Sequence, residues 1–306
     1  VRNVLRRLLG QRAVTSPVQE GGPQAPANLF LEFAPPGHFY SPLPDPAYVA
    51  RKREKLFDAR VSTIPGIEVN ATQQLALAKQ LATYYGELPF TDERSAGLRY
   101  YYQNDWFSYG DAIALYSMIR HVRPQRIIEV GSGYSSAVML DTNDLFFSKS
   151  IGLTFIEPNP ERLYSLLSEE DKRRCEIIVD EVQEVPVERF DQLEAKDILF
   201  IDSSHVVKIG SDVVHLLTNV LPTLKKGVLI HIHDVFWPFE YPEIWLSQGR
   251  AWNELYMVKA FLQFNTHFRI LFFNSYLAEN HLETVAASLP LFQSNTGGSI
   301  WLEKVA

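Results

Sequence analysis

The sequence predicts an α/β fold: a doubly wound, largely parallel sheet of Rossmann type behind a helical N-terminal extension. Three observations carry this expectation. Residues 126–136, Arg-Ile-Ile-Glu-Val-Gly-Ser-Gly-Tyr-Ser-Ser, form an apolar run ending in a glycine-rich turn, and Ala137, Val138, Met139 and Leu140 then begin a helix. A second apolar run, Ile151 to Ile156, ends in Glu157, at the distance where such a unit places an acidic residue on ribose hydroxyls. Later apolar runs alternate with helical stretches, the pattern of parallel strands.

Gly131 and Gly133 can take backbone angles closed to other residues and let a ligand approach the main chain closely. Their spacing is Gly-x-Gly-x-x-Ser, without the third glycine of the dinucleotide fingerprint. The Glu157 carboxylate suits an unphosphorylated ribose, since it accepts from both hydroxyls and repels a phosphate.

On these residues the chain resembles the class I S-adenosylmethionine-dependent methyltransferases, in which Glu-Val-Gly-Ser-Gly-Tyr-Ser-Ser is a common form of the first motif; the resemblance spans roughly residues 105 to 304. It implies S-adenosylmethionine as cofactor. Glu129, Gly131, Ser132, Gly133, Tyr134 and Ser135 would form the turn facing its methionine part, and Glu157 would hold its ribose.

The chain divides into a segment 1–45, a helical region 46–104 and a methyltransferase domain 105–306. Val1 to Arg12 sets Val4, Leu5, Leu8 and Leu9 at helical spacing among Arg2, Arg6, Arg7 and Arg12, a basic amphipathic pattern suited to packing on its own domain, a partner or a membrane surface. Val14 to Asp45, rich in Pro and Gly, reads as an extended linker, with the aromatics of Gly37 to Pro42 docked away from water. Residues 46–100 read as mostly helical, for example Ala71 to Tyr85, and cover one edge of the sheet.

Arg99 to Gly110 is an aromatic cluster before a helix at Asp111 to His121. By the resemblance, Phe107, Ser108, Tyr109 and Gly110 line the methionine end of the cofactor, where aromatic rings exclude water; anchoring of the helix is the competing reading. Strand three, Cys175 to Val179, leads to Asp180 and Val182, which the resemblance sets beside the adenine. Helix capping is the other reading of Asp180.

Strand four, Asp197 to Ile201, delivers Asp202-Ser203-Ser204-His205, and strand five, Gly227 to Ile232, delivers His233-Asp234. Both should open on the C-terminal edge that holds Gly131. Phe268 to Phe273 and Gly298 to Leu302, joined by a loop containing Asn274, Ser275, Asn295, Thr296 and Gly297, match the antiparallel final hairpin of the methyltransferase fold.

Asp202, His205, His233 and Asp234 thus gather where two apolar runs stop. The resemblance extends to metal-dependent O-methyltransferases, in which Asp202, His233 and Asp234 would hold a divalent ion; magnesium prefers oxygen ligands, and an imidazole at His233 points rather to manganese. Without metal, His205 is the expected general base and Asp202 its orienting partner, with His233 as the second candidate base. His231 reads as a core residue. Phe236 to Trp252 supplies an aromatic lid for a flat or sugar-like acceptor, or a contact surface for a homo-oligomer.

The expected activity is therefore methyl transfer to a small-molecule acceptor, a saccharide or phenolic, on oxygen. Two other readings stay open: a metal-dependent hydrolase or oxygenase using the same four residues, and a non-catalytic interaction protein that keeps the cofactor fold. With 46% hydrophobic and 21% charged residues, the 306-residue chain is ordinary for a soluble globular protein. Its formal net charge of −7 argues against a broad nucleic-acid-binding face. A single cysteine, Cys175, suits a cytoplasmic protein, and no apolar run or leader pattern points to a membrane span or secretion.

Overall fold

The computed structural model describes residues 29–306. The amphipathic pattern at 1–12 and the linker up to residue 28 lie outside the described residues. By contact the chain falls into two compact units, one ending at Arg51 and one comprising Lys52–Ala306. The helical region predicted to end at residue 104 is thus continuous, beyond Arg51, with the sheet-bearing unit.

In the first unit, a short helix α1 (Leu29–Phe33) is followed by irregular chain and the start of α2 (Pro46–Leu56). Pro35, Pro36, Pro42 and Pro44 fix φ and remove backbone donors, so no regular element forms between the two. Phe39 and Tyr40 lean on each other, with ring centroids 4.3 Å apart.

In the second unit, β1 (Arg126–Val130), β2 (Gly152–Ile156), β3 (Glu176–Ile178), β4 (Ile198–Ile201), β5 (Leu229–His233), β6 (Phe268–Phe273) and β7 (Ser299–Lys304) form one sheet in the order β3-β2-β1-β4-β5-β7-β6. The first five are mutually parallel. β7 runs antiparallel between β5 and β6, which is the final hairpin expected from the resemblance. Strand order reverses between β1 and β4, so their C-terminal ends splay into a crevice where a ligand can lie against the main chain.

The central strands are buried on both faces, as their unbroken apolar runs require. α4 (Tyr109–Val122) packs beside α5 (Tyr134–Phe146) and buries every residue from Gly110 to Ile119, because it is apolar around its whole circumference. Each fully buried Leu or Ile there contributes roughly 1.5–3 kcal/mol of burial free energy. The aromatic segment ahead of α4 is tied down by Arg99, whose guanidinium bonds Asp141 (2.6 Å), Asp144 (2.9 Å) and Asp171 (2.8 Å).

Helix in the 52–104 stretch is limited to the end of α2, α3 (Ala71–Leu81) and a 3-10 turn at Ala82–Glu87. Pro65-Gly66 and Pro89 interrupt the remainder. α3 covers the sheet edge, as expected: buried Gln74 accepts from the backbone N–H of Phe273 on edge strand β6 (2.8 Å).

Three expectations change in detail. β3 is shorter than Cys175 to Val179; Cys175 instead closes α7 (Glu169–Arg174), its thiol pushed up to about 11 by burial. β5 begins at Leu229 and includes His233, so His231 and His233, two residues apart, share one face of the sheet. The stretch after β6 is a helix, α11 (Asn274–Ala286), rather than a loop. Asn274 and Ser275 look like loop formers, but tertiary partners absorb their side chains: Asn274 donates to Asp111 (3.1 Å) and Ser275 Oγ accepts from Trp237 N–H (2.7 Å). Among the described residues no helix is long and apolar enough to cross a membrane.

Candidate functional site

The glycine turn forms because the chain must pass directly over β4. Gly131 has φ +78°, and a Cβ there would sit 1.8 Å from the carbonyl oxygen of Asp202. Its N–H donates to the Ile156 carbonyl (3.0 Å), while the Val130 carbonyl accepts from Asp202 N–H (2.8 Å). The turn is thus locked to the ends of β2 and β4 by main-chain bonds, leaving its outer side for a ligand.

Glu157, at the end of β2, faces that turn. Its two oxygens accept from the backbone N–H groups of Ser132 (2.9 Å) and Asn159 (2.8 Å). Burial pushes its carboxyl above the usual range, and the two N–H groups offset part of that. Gly131, Glu157, Val182 and Asp202 together line a cavity of about 400 Å³, whose far wall is Gln183 and Ser211. A glycine turn with its outer side free, a carboxylate for hydroxyls and an apolar wall at Val182 fit a nucleoside-bearing cofactor such as S-adenosylmethionine.

Other residues assigned to the cofactor from the sequence lie elsewhere. Glu129 does not line the cavity: it is fully buried beneath the turn, accepting from the Ser135 (2.6 Å) and Ser136 hydroxyls at the start of α5. It therefore fixes the shape of the turn, with Ser135 as its partner. Tyr134 points outward to Tyr101, with the two hydroxyls 3.1 Å apart. Tyr109 stacks on Tyr102 (4.6 Å) and donates to Asp92 (2.9 Å). Asp180 lines a separate groove beyond edge strand β3, with Glu184 and Arg189. At Gly133, a Cβ would meet the Arg162 side chain at 3.1 Å, and the Arg162 guanidinium lies over the Trp106 ring (3.7 Å).

Burial pushes Glu129 up to about 8, against the pull of the Ser135 and Ser136 hydroxyls. The folded chain then keeps a proton that the unfolded chain releases near 4.5. Stability should fall with rising pH from about 4.5 to about 8 and level off above, with a slope of at most about 1.4 kcal/mol per pH unit from this one proton. Glu129→Gln, uncharged throughout, should remove that slope in thermal melts recorded across this window; an unchanged slope would assign it to another group.

The four polar residues at the strand ends do converge. His205, buried, sets Nε2 3.3 Å from Asp202 and 3.6 Å from Asp234, and its Nδ1 lies 2.8 Å from Glu254 Oε2. Burial disfavours a charged ring here, but the bonds to Asp202 and Glu254 outweigh it and raise its pKa well above the ordinary value. Asp202 is lowered, since the His233 and His205 charges overcome its burial. Asp234, with φ 55°, is raised by burial despite both histidines. His233 Nε2 lies 3.6 Å from Asp234, and the surrounding carboxylates raise its pKa in spite of burial. His231 has neither ring nitrogen hydrogen-bonded, stacks on Phe200 (3.9 Å), and burial lowers it well below its ordinary value, so it is a core residue.

This geometry alters two expectations. A base must be free to accept a proton, yet both nitrogens of His205 face carboxylates, which hold it as the charged donor. Nor does the Asp202, His233 and Asp234 set fit a metal: among the described residues no three such side chains are arranged to hold one ion. The His205 Nε2 lies 3.3 Å from Asp202 and 3.6 Å from Asp234, in the space an ion shared by the two carboxylates would need.

Sequence reading missed Glu254 and Asp111. Glu254 opens α10 (Glu254–Leu262), 49 residues beyond His205, and its other oxygen accepts from Ser203 Oγ (2.9 Å). The N–H groups of Asn253 and Glu254 both donate to the His205 carbonyl, at 3.0 and 3.1 Å. An Asn-Glu pair opening an apolar helix was the only local signal, and it marks a helix start, not a site. Asp111, buried on α4, accepts from Asn274 and from Gly298 N–H (3.2 Å), and its carboxyl is raised by burial. From the segment Phe236 to Trp252, Trp252 reaches the cluster: its ring lies 4.4 Å from that of His205, and Arg250 stands over Trp245 (4.8 Å) and Trp252 (5.1 Å).

Residues 128–235 match a family model described as a methyltransferase domain. An uncharacterized protein of Archaeoglobus fulgidus is 37% identical over 163 residues, covering 52% of this chain and 73% of that one. Among solved structures, the O-methyltransferase TomG of Streptomyces achromogenes, involved in tomaymycin synthesis and bound to SAM, is 15% identical with a TM-score of 0.42, over 85% of this chain and 96% of that one. The SAH-bound methyltransferase PaMTH1 of Podospora anserina is 17% identical with a TM-score of 0.40, over 87% and 99%.

Proposed function

This chain belongs to the class I S-adenosylmethionine-dependent methyltransferases, and we propose that it methylates a hydroxyl oxygen on a small-molecule acceptor. The observation that carries the proposal is the double position of Asp202. Its carbonyl oxygen packs against Gly131 in the cofactor turn, and its carboxylate lies 3.3 Å from His205 in the polar cluster. The cofactor cavity and the proton-handling groups therefore share a wall.

S-adenosylmethionine, when bound, supplies a methyl group activated by a positively charged sulfur. Glu157 and Ser132 would hold its ribose, Val182 would cover its adenine, and the main chain from Gly131 to Gly133 would receive its methionine end. What remains for the protein is to orient the acceptor oxygen and remove one proton. Asp234 is suited to take that proton, because burial makes its carboxylate a stronger base than usual. His205 is the fixed positive partner that keeps Asp202 ionised and offsets the negative charge growing on the acceptor oxygen. His233, with its pKa raised by the surrounding carboxylates, stands beside Asp234 at the same point.

The aromatic residues Trp245 and Trp252 over this cluster suit a phenolic or sugar ring and exclude water from the reacting oxygen. The test is to incubate the protein with methyl-labelled S-adenosylmethionine and a panel of phenols and saccharides, then treat the products with alkali. Label in alkali-stable ethers is the expected result. Label confined to alkali-labile esters or to amines would sink the oxygen-ether assignment.

A further inference from the structure

The gap between Asp202 and Asp234 is filled by a ring of this chain. Among the described residues, three carboxylates lie against the His205 ring nitrogens: Glu254 2.8 Å from Nδ1, and Asp202 and Asp234 3.3 and 3.6 Å from Nε2. The ring cannot easily withdraw. His205 has φ +60°, its carbonyl is held by the N–H groups of Asn253 and Glu254, and Trp252 covers it.

We propose that the His205 ring occupies the place beside Asp202 and Asp234 where a divalent cation would otherwise bridge them, so that the site works without metal. An ion bridging those carboxylates would need their oxygens at roughly 2.0–2.2 Å, in the space the ring nitrogen takes. The ring, fixed through Nδ1 by Glu254, then fills with its own Nε2 the space beside both carboxylates that an ion would take. This rests on the proposed function for its chemical meaning only, because its test reads cation binding without turnover.

The experiment is calorimetric titration of the chelator-treated full chain with manganese chloride alone. The wild type should show no stoichiometric binding. His205→Ala leaves Asp202, Asp234 and Glu254 around a vacated space and should bind one manganese ion at least about tenfold more tightly than wild type. Adding Asp234→Asn should abolish that gain, and His205→Lys, which returns a cation, should not show it. His205→Asn, read in the same way, covers the case in which the alanine variant does not fold. Stoichiometric manganese binding by the wild type, weakened when His205 is removed, would overturn the inference. So would folded His205→Ala and His205→Asn variants that bind no better than wild type. S-adenosylhomocysteine binding by the wild type, measured in parallel, separates failure of this inference from failure of the methyltransferase reading.

Discussion

Gly131→Ala should lose both stability and cofactor binding, with a destabilisation of about 4 kcal/mol or more. Two independent costs meet at this position. The backbone sits at φ +78°, where a residue with a Cβ is strained, and that Cβ would lie 1.8 Å from the Asp202 carbonyl oxygen. Relief requires either β1 or the end of β4 to move. Both are central strands pinned by the Asp202 N–H bond to Val130. Moving them distorts the cofactor turn and the Asp202 side chain together. Denaturant midpoints read the stability loss, and S-adenosylhomocysteine titration of the folded fraction reads the binding loss. A variant of wild-type stability that binds normally would show that the turn is not held as described.

The second large effect is expected on rate. Asp234→Asn should lower the rate of methyl transfer by about 10² to 10⁴, the usual contribution of a positioned general base, while leaving S-adenosylhomocysteine affinity near wild type. The asparagine keeps the volume and cannot accept the proton. Because burial raises Asp234 above the usual carboxylate range, the acidic limb of the wild-type pH–rate profile should lie above that range too, and it should vanish in the variant. His205→Gln should be impaired without moving the limb in the same way, because its role is positive charge rather than proton acceptance. An acidic limb that survives in Asp234→Asn would return the base role to another residue.

The framework of this molecule was legible because its signals are local. Apolar runs of four to six residues followed by a polar residue mark β1, β2, β4 and β5, and each ends within a residue or two of the expected place. Gly131, Glu157, Asp202, His205 and Asp234 stand at those ends, so locating the strands located the crevice. What was not legible depends on contacts across the chain. Glu254 becomes part of the cluster only because α10 docks its first turn on the His205 carbonyl. Asn274 and Ser275, turn residues by propensity, start a helix because Asp111 and the Trp237 backbone take up their side chains. Glu129, inside the most recognisable motif, faces down into the protein rather than out to the ligand, since alternate residues of β1 point to opposite faces of the sheet.

The roles of the histidines show the same limit. Spacing alone makes His205 a good base and His233 a good ligand. Their three-dimensional neighbours could not be read from spacing: three carboxylates lie against one ring, and the Nδ1 of the other is buried without a partner.

The cavity between Gly131 and Glu157 should receive an adenosyl cofactor through its ribose. Calorimetric titration of S-adenosylhomocysteine into the chelator-treated wild type and into Glu157→Ala should show one saturable site in the wild type, with affinity reduced at least about tenfold in the variant, since two hydrogen bonds to a carboxylate are lost. No binding by the wild type, or equal binding by both proteins, would contradict it.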